Sequence, residues 1–88
     1  MLNQVVLIGR YRGSDSVNNC IFLNIGSKDE PRNIPIYLTD SIYHNVLDYV
    51  DDDAVIGVKG KLEVDFVDTI KIIGEKVSFL SSGRRDNE

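Results

Sequence analysis

Two aromatic side chains of this 88-residue sequence occupy positions from which they could bind a ligand. Phe22 and Tyr37 lie in segments where every second residue is apolar, and each takes the opposite phase. We therefore expect their rings on the outward faces of two adjacent strands. Exposed rings stack on unpaired nucleic-acid bases, and each such contact contributes about 1–3 kcal/mol. The alternative is that these rings cover one end of the fold or a subunit contact.

A third ring, Phe66, lies in a predicted hairpin connection between Asp65 and Asp68. From the tip of a hairpin this ring could clamp a base, or it could fold back over the apolar interior. The sequence leaves both alternatives open. An exposed ring at this point would also suit a protein partner.

Five basic residues are placed to meet the phosphates of a nucleic acid. Three project from predicted strands that should line one groove, and two lie where the first strand runs into its loop: Lys59, Lys61 and Lys71, and Arg10 and Arg12. Such contacts hold the backbone and carry no sequence information. An ordinary solvated face is the alternative, since Glu63 and Glu75 lie close in sequence. Arg84 and Arg85 could add weak phosphate contacts from the end of the chain.

Covalent chemistry lacks the residues that it requires. One cysteine, Cys20, and one histidine, His44, offer no evident nucleophile and base, and no Gly-rich phosphate loop is present. The run 51–53 of three aspartates lacks the spaced ligands and glycine of known metal loops. We predict a protein that is not an enzyme, with no metal site, no cofactor and no small-molecule substrate.

Charge and hydropathy limit the partners and the location. The formal net charge is −4, but five of the 14 acidic residues lie in the segment 40–53, which has no lysine or arginine. The rest of the surface is therefore near neutral, and net charge alone neither supports nor excludes a nucleic acid. No apolar run approaches the roughly 20 residues of a membrane span. We predict no membrane partner and a cytoplasmic location.

The pattern of apolar residues predicts the elements that position these side chains. Strands are expected over 2–11, 19–25, 34–38 and 54–63, and over 70–73 and 76–80 with an interruption at Gly74. A short amphipathic helix is expected over 40–50, with Asp40 as its N-cap, and a hairpin connection over 64–69. The predicted inward residues are, in the second strand, Ile21, Leu23 and Ile25, and in the fourth, Ile56, Val58 and Leu62.

This order of elements indicates the fold class. Three strands, one helix and two closing strands in so short a chain favour an all-β protein with one short helix, because a parallel sheet would need longer crossovers. We predict a five-stranded OB-fold barrel with the helix between strands 3 and 4. Residues 1–80 would form a single domain, and 81–88 a short flexible polar tail.

Three blocks of the sequence resemble the bacterial single-stranded DNA-binding protein family. The first ten residues, MLNQVVLIGR, are similar to its opening, and 34–63 is similar throughout, notably at Asn45-Val46, Tyr49 and 55–62. A weaker block covers 75–80. The resemblance implies sequence-independent binding and protection of single-stranded DNA in DNA replication, recombination or repair. It also implies a homo-oligomer, a dimer or tetramer, through 2–6 of the first strand.

The sequence departs from that family in three ways. It has no tryptophan, and Thr39 stands where the family commonly carries a stacking Trp. The connection 26–33 is shorter than the family's loop, and the chain has no acidic tail ending in Phe. The missing tryptophan, together with the acidic helix, favours an alternative: an OB-fold protein-interaction module, such as a replication or mobile-element accessory, with weak or no DNA binding.

Overall fold

The computed structural model describes residues 3–81. The elements are β1 (Val5–Asp15), β2 (Cys20–Asn24), β3 (Asn33–Tyr37), α1 (Asp40–Tyr49), β4 (Val55–Val64) and β5 (Ile70–Ser81). The predicted order of strands and helix is confirmed. The predicted polar tail lies outside the described residues from 82 onward, and Ser81 is the last residue of β5. No helix in the described range is long and apolar enough to cross a membrane.

The five strands close into one barrel in the order β1-β2-β3-β5-β4, which confirms the predicted OB-fold architecture. β1 serves two neighbours: residues 5–10 pair with β4, and 10–15 pair with β2. All pairs are antiparallel except β3 with β5, which are parallel and joined only at Ile36 opposite Ile72 and Tyr37 opposite Ile73. The barrel is therefore closed by one short seam, the two-residue pairing of β3 with β5.

The core lies inside the barrel and is built from alternate strand residues. Ile21, Leu23, Ile36, Ile56 and Val58 are almost fully buried, as their period-two spacing predicts. Two predicted core residues are not. Ile25 is 42% exposed and Leu62 is 40% exposed. Both residues lie outside the part of their strand that lines the barrel. β2 ends before Ile25, and Leu62 lies where the β4–β5 hairpin extends past the barrel.

Helix α1 covers one end of the barrel, and Thr39 starts it. The Thr39 Oγ1 accepts a hydrogen bond from the backbone N–H of Ile42 at 3.3 Å, so the prediction of Asp40 as N-cap is wrong by one residue. Asp40 lies in the first turn, where a negative charge interacts favourably with the helix dipole. Tyr43 and Val46 are the helix residues buried against the core.

Two glycines of β4 and β5 lie where a side chain would not fit. Gly60 lies opposite Gly74, next to an irregularity in the strand register at Lys59 and Gly60. A Cβ on Gly60 would lie 1.9 Å from the carbonyl oxygen of Ile73, and one on Gly74 would lie 2.7 Å from Leu38 Cδ2. The predicted interruption at Gly74 is therefore a local shift of register within one continuous strand.

Candidate nucleic-acid interface

Phe22 and Tyr37 lie on the same outer side of the barrel. In the β2–β3 register Phe22 faces Pro35, and Tyr37, two residues further along β3, faces Cys20. Side chains in this diagonal relation are about 7–8 Å apart. Both rings are half-buried, so each has one part packed on the barrel and another open to solvent. The strand geometry thus brings the two predicted stacking rings together.

Lys71 lies beside one of these rings. Its Nζ is 5.0 Å from the centroid of the Tyr37 ring, within the range of a cation–π interaction. The contact arises because the parallel seam sets the start of β5 alongside the end of β3. Ring and cation therefore form one unit, in which a base could meet the ring while a phosphate meets the ammonium group.

The lysines of β4 continue the same outer side. Lys61 faces Ile73, which in turn faces Tyr37 across the seam. The Lys61 Nζ lies 3.6 Å from Glu63 Oε2 and 3.9 Å from Glu75 Oε2. These pairs are partly exposed and weak, so a phosphate can compete with them.

Lys59 lies further along β4, past the register shift. It faces Lys76 on β5 and Val6 on β1. Lys76 was not predicted as part of the site. The shift of register between Lys59 and Gly60 brings it opposite Lys59, and sequence alternation does not reveal such a shift.

Arg10 and Arg12 line a groove of their own, apart from the lysines of β4 and β5. Arg12 Nη1 lies 2.6 Å from Asp53 Oδ1, and Arg10 Nη1 donates to the Asp53 backbone oxygen at 3.1 Å. The groove holds about 620 Å³, and Lys28 and Asn24 also line it. Because Arg10 faces Asn24 across the β1–β2 pair, this groove adjoins the Phe22 end of the outer side.

The floor of that groove depends on one buried amide. Asn24 Oδ1 accepts hydrogen bonds at 2.9 Å from the backbone N–H groups of Gly26 and Arg32. These two bonds close the short connection between β2 and β3 into a compact loop. Lys28, at the turn of this loop, is thereby held over the groove.

Phe66 stands apart at the tip of the β4–β5 hairpin. Its ring is fully exposed, so the expectation that it might fold back over the barrel is wrong. The turn beneath it is well formed, because Asp65 Oδ1 accepts from the backbone N–H groups of Thr69 and Val67 at 2.9 and 3.0 Å. The bond from Thr69, and next that from Val67, lower the pKa of the Asp65 carboxyl from its ordinary value. Asp68 completes an acidic setting for the ring.

A cleft opens between β3 and the base of this hairpin, below the seam. We call it the β3–β5 cleft; it holds about 330 Å³, and its floor is formed by Ile34, Leu62, Ile70 and Ile72. Tyr37 and Lys71 stand at its mouth. The cleft exists because β3 and β5 pair at two positions only and then separate.

The described part of the chain gives little structural support for metal binding or covalent catalysis. Residues 3–81 contain no group of three or more His, Cys, Asp or Glu side chains arranged to hold a metal ion. Cys20 is buried, and this burial, with a smaller effect of Asp15, raises the pKa of its thiol. A protonated, buried thiol is a poor nucleophile.

The fold is shared with proteins of known structure. The chain is similar to a mitochondrial single-stranded DNA-binding protein from S. cerevisiae, Rim1, with a TM-score of 0.76 and 12% identity over 97% of this chain and 100% of that chain. A second crystal form of Rim1 gives a TM-score of 0.75 and 17% identity over 94% and 99%. No protein-family model and no curated protein sequence matches the chain. The barrel is thus of the kind found in single-stranded DNA-binding proteins, and these identities do not assign it to the bacterial family.

Proposed function

We propose that this protein binds single-stranded DNA on the outer side of β2, β3, β5 and β4, with broad tolerance of sequence. The observation that carries the proposal is the Tyr37–Lys71 unit, in which an ammonium group lies 5.0 Å from the centre of a partly open ring, with Phe22 on the adjoining strand. In such barrels the aromatic rings stack on the bases, and neighbouring cations bind the phosphate backbone. The fold shared with Rim1 supports the same function.

The mechanism is passive. Bases stack on Phe22 and Tyr37, while Lys71, Lys61 and Lys59 meet phosphates, so that the strand stays extended and cannot re-pair. No step needs an energy source or a catalytic group. The roles in DNA replication, recombination or repair and the cytoplasmic location remain parts of the proposal that rest on the sequence. Arg10 and Arg12 would extend the phosphate contacts past Phe22 if their bonds to Asp53 yield to the ligand.

We also propose that the protein acts as a homo-oligomer through the beginning of β1. Residues 5–9 pair with β4 on one edge, and among the described strands none pairs with their other edge. Val6 and Ile8, on the outer side of this stretch, are both largely exposed. An open edge bearing apolar side chains suits pairing with a second copy. Val6 lies within the segment 2–6 predicted for this contact, whereas Leu2 lies outside the described residues.

A protein-interaction module is the second candidate, and Phe66 favours it. The ring is fully exposed, and Asp65 and Asp68 beside it would repel a phosphate backbone. A partner with an apolar pocket and basic rim would suit this tip. In that case DNA binding would be weak or absent, and the tip would carry the function.

Fluorescence anisotropy of a labelled oligo-dT at two salt concentrations distinguishes these candidates. We expect saturable binding that weakens as salt rises, because cations on the protein replace counterions of the strand. Tyr37→Ala should weaken binding by about 1–3 kcal/mol, roughly fivefold to 150-fold. Tyr49→Ala is the matched control, since Tyr49 is an exposed tyrosine of α1 distant from the outer side of β2 and β3, and it should leave affinity unchanged.

The salt dependence gives a separate measure of the lysines. Lys71→Ala should reduce the slope of log K against log salt by about 0.7, the value for one lost contact to a single strand. Absence of saturable binding by the unaltered protein at low salt would reject the proposal in favour of the interaction module. Equal losses from the Tyr37 and Tyr49 substitutions would place the strand elsewhere.

A further inference from the structure

The lining of the β3–β5 cleft is mainly apolar. Its floor is aliphatic, and two of the floor residues, Leu62 and Ile70, are exposed although they point toward the inner side of the hairpin. Apolar side chains left open at the bottom of a cleft gain free energy when an apolar group covers them. The volume of about 330 Å³ is near the lower end of the range for small-ligand sites.

The position of the cleft identifies what can reach it. Its mouth is formed by Tyr37 and Lys71, the same pair that carries the proposed strand-binding function. A strand held by this pair would therefore run past the opening of the cleft. The occupant suggested by this continuity is a base of the bound strand, with Lys71 available for its phosphate.

The chemistry of the floor selects among bases. Ile34, Leu62, Ile70 and Ile72 offer no hydrogen-bonding side chain, so exocyclic amino groups buried there would lose their hydrogen bonds to water. Thymine alone among the DNA bases carries a methyl group, at C5, that can fill an apolar floor while its polar edge faces the mouth. Thr69 and Tyr37, whose side chains carry hydroxyl groups, also line the cleft and offer hydrogen-bonding partners for that edge.

We propose that the β3–β5 cleft receives one thymine base and recognises its C5 methyl group. This rests on the proposed function, since the strand must first be held at Tyr37 and Lys71. The consequence is a modest preference, superimposed on sequence-tolerant stacking, for thymine over uracil and cytosine. Because RNA carries uracil in place of thymine, the cleft also provides discrimination between DNA and RNA at the level of the base.

The test compares oligodeoxynucleotides of equal length made only of thymidine or only of deoxyuridine, which differ in the methyl group alone. Burial of one methyl-sized group corresponds to about fourfold in affinity, so thymidine should bind about fourfold more tightly. Leu62→Ala and Ile70→Ala should each bring this ratio toward one while deoxyuridine binding changes little. Val17→Ala removes part of a still more exposed apolar side chain outside the cleft and should keep the ratio.

The outcomes separate this inference from the proposed function. Binding of neither oligonucleotide would reject strand binding altogether. Equal affinity for both would retain strand binding and overturn the thymine site, and would leave the cleft to an apolar side chain of a protein partner. A ratio that persists in both cleft variants would also overturn it, because the methyl group would then be read by stacking on Tyr37 or Phe22.

Discussion

Gly60 is the residue at which the barrel has least room. A Cβ there would lie 1.9 Å from the Ile73 carbonyl oxygen, which is backbone and cannot move aside alone. We expect Gly60→Ala to lower the free energy of unfolding by about 1–3 kcal/mol or more, as overpacking does. Gly57→Ala is the control on the same strand, since its Cβ would meet only Leu80 Cδ1, at an ordinary 3.5 Å.

Urea denaturation of both variants measures this difference. The midpoint should fall for Gly60→Ala and stay near that of the unaltered protein for Gly57→Ala. Similar midpoints for the two variants would show that β4 and β5 can separate at the register shift without cost.

At the residue scale the sequence predicts the positions of the two rings better than those of the cations. Alternation is enough to place Phe22 and Tyr37 outward, because both lie inside regular strands. It fails for Ile25 and Leu62, which lie where a strand has ended or has left the barrel. It also cannot show that Asp53, distant in sequence, binds both Arg10 and Arg12.

At the scale of elements, Thr39 has a structural role in place of a stacking one. The position that commonly holds Trp in the resembling family here holds the residue that begins α1, through the bond from the Ile42 N–H to its hydroxyl. Thr39→Ala should lower the free energy of unfolding by about 0.5–2 kcal/mol, the usual cost of losing an N-cap. Thr39→Ser keeps the hydroxyl and should retain most of the stability.

Thermal unfolding followed by circular dichroism checks this prediction. Because Tyr43 and Val46 bury α1 against the core, loss of the cap should lower the midpoint of the whole cooperative transition. Equal midpoints for Thr39→Ala and Thr39→Ser would mean that solvent satisfies the Ile42 N–H as well as the hydroxyl does.

The elements themselves were predictable because each has its own periodicity. The short helix and four of the strands follow from apolar spacing with errors of a few residues at their ends. The apolar spacing predicts β5 as two pieces interrupted at Gly74. In the structure the strand continues through Gly74, where a Cβ would lie 2.7 Å from Leu38 Cδ2, so glycine leaves room for this core side chain.

For the whole molecule, the open edge of β1 predicts the assembly state. Val6→Lys should convert an oligomer into a monomer, because a charge would replace an apolar side chain at the proposed contact. The fold should survive, since Val6 is 66% exposed. Val17→Lys, at another exposed valine, is the matched control. Light scattering during gel filtration gives the mass of each variant. A monomeric unaltered protein, or an unchanged mass for Val6→Lys, would contradict the β1 contact.

The seam between β3 and β5 also has consequences for folding. Ile36 and Ile72 are distant in sequence, so their pairing requires the closure of a long loop and gains only a two-residue ladder in return. Non-local contacts with so small a gain form late and open early. We expect the backbone N–H groups that cross the β3–β5 seam to exchange with deuterium sooner than those of the β1–β4 ladder. Transient opening of the seam would widen the β3–β5 cleft. The contact that forms last in folding would then also be the place where a base enters the barrel.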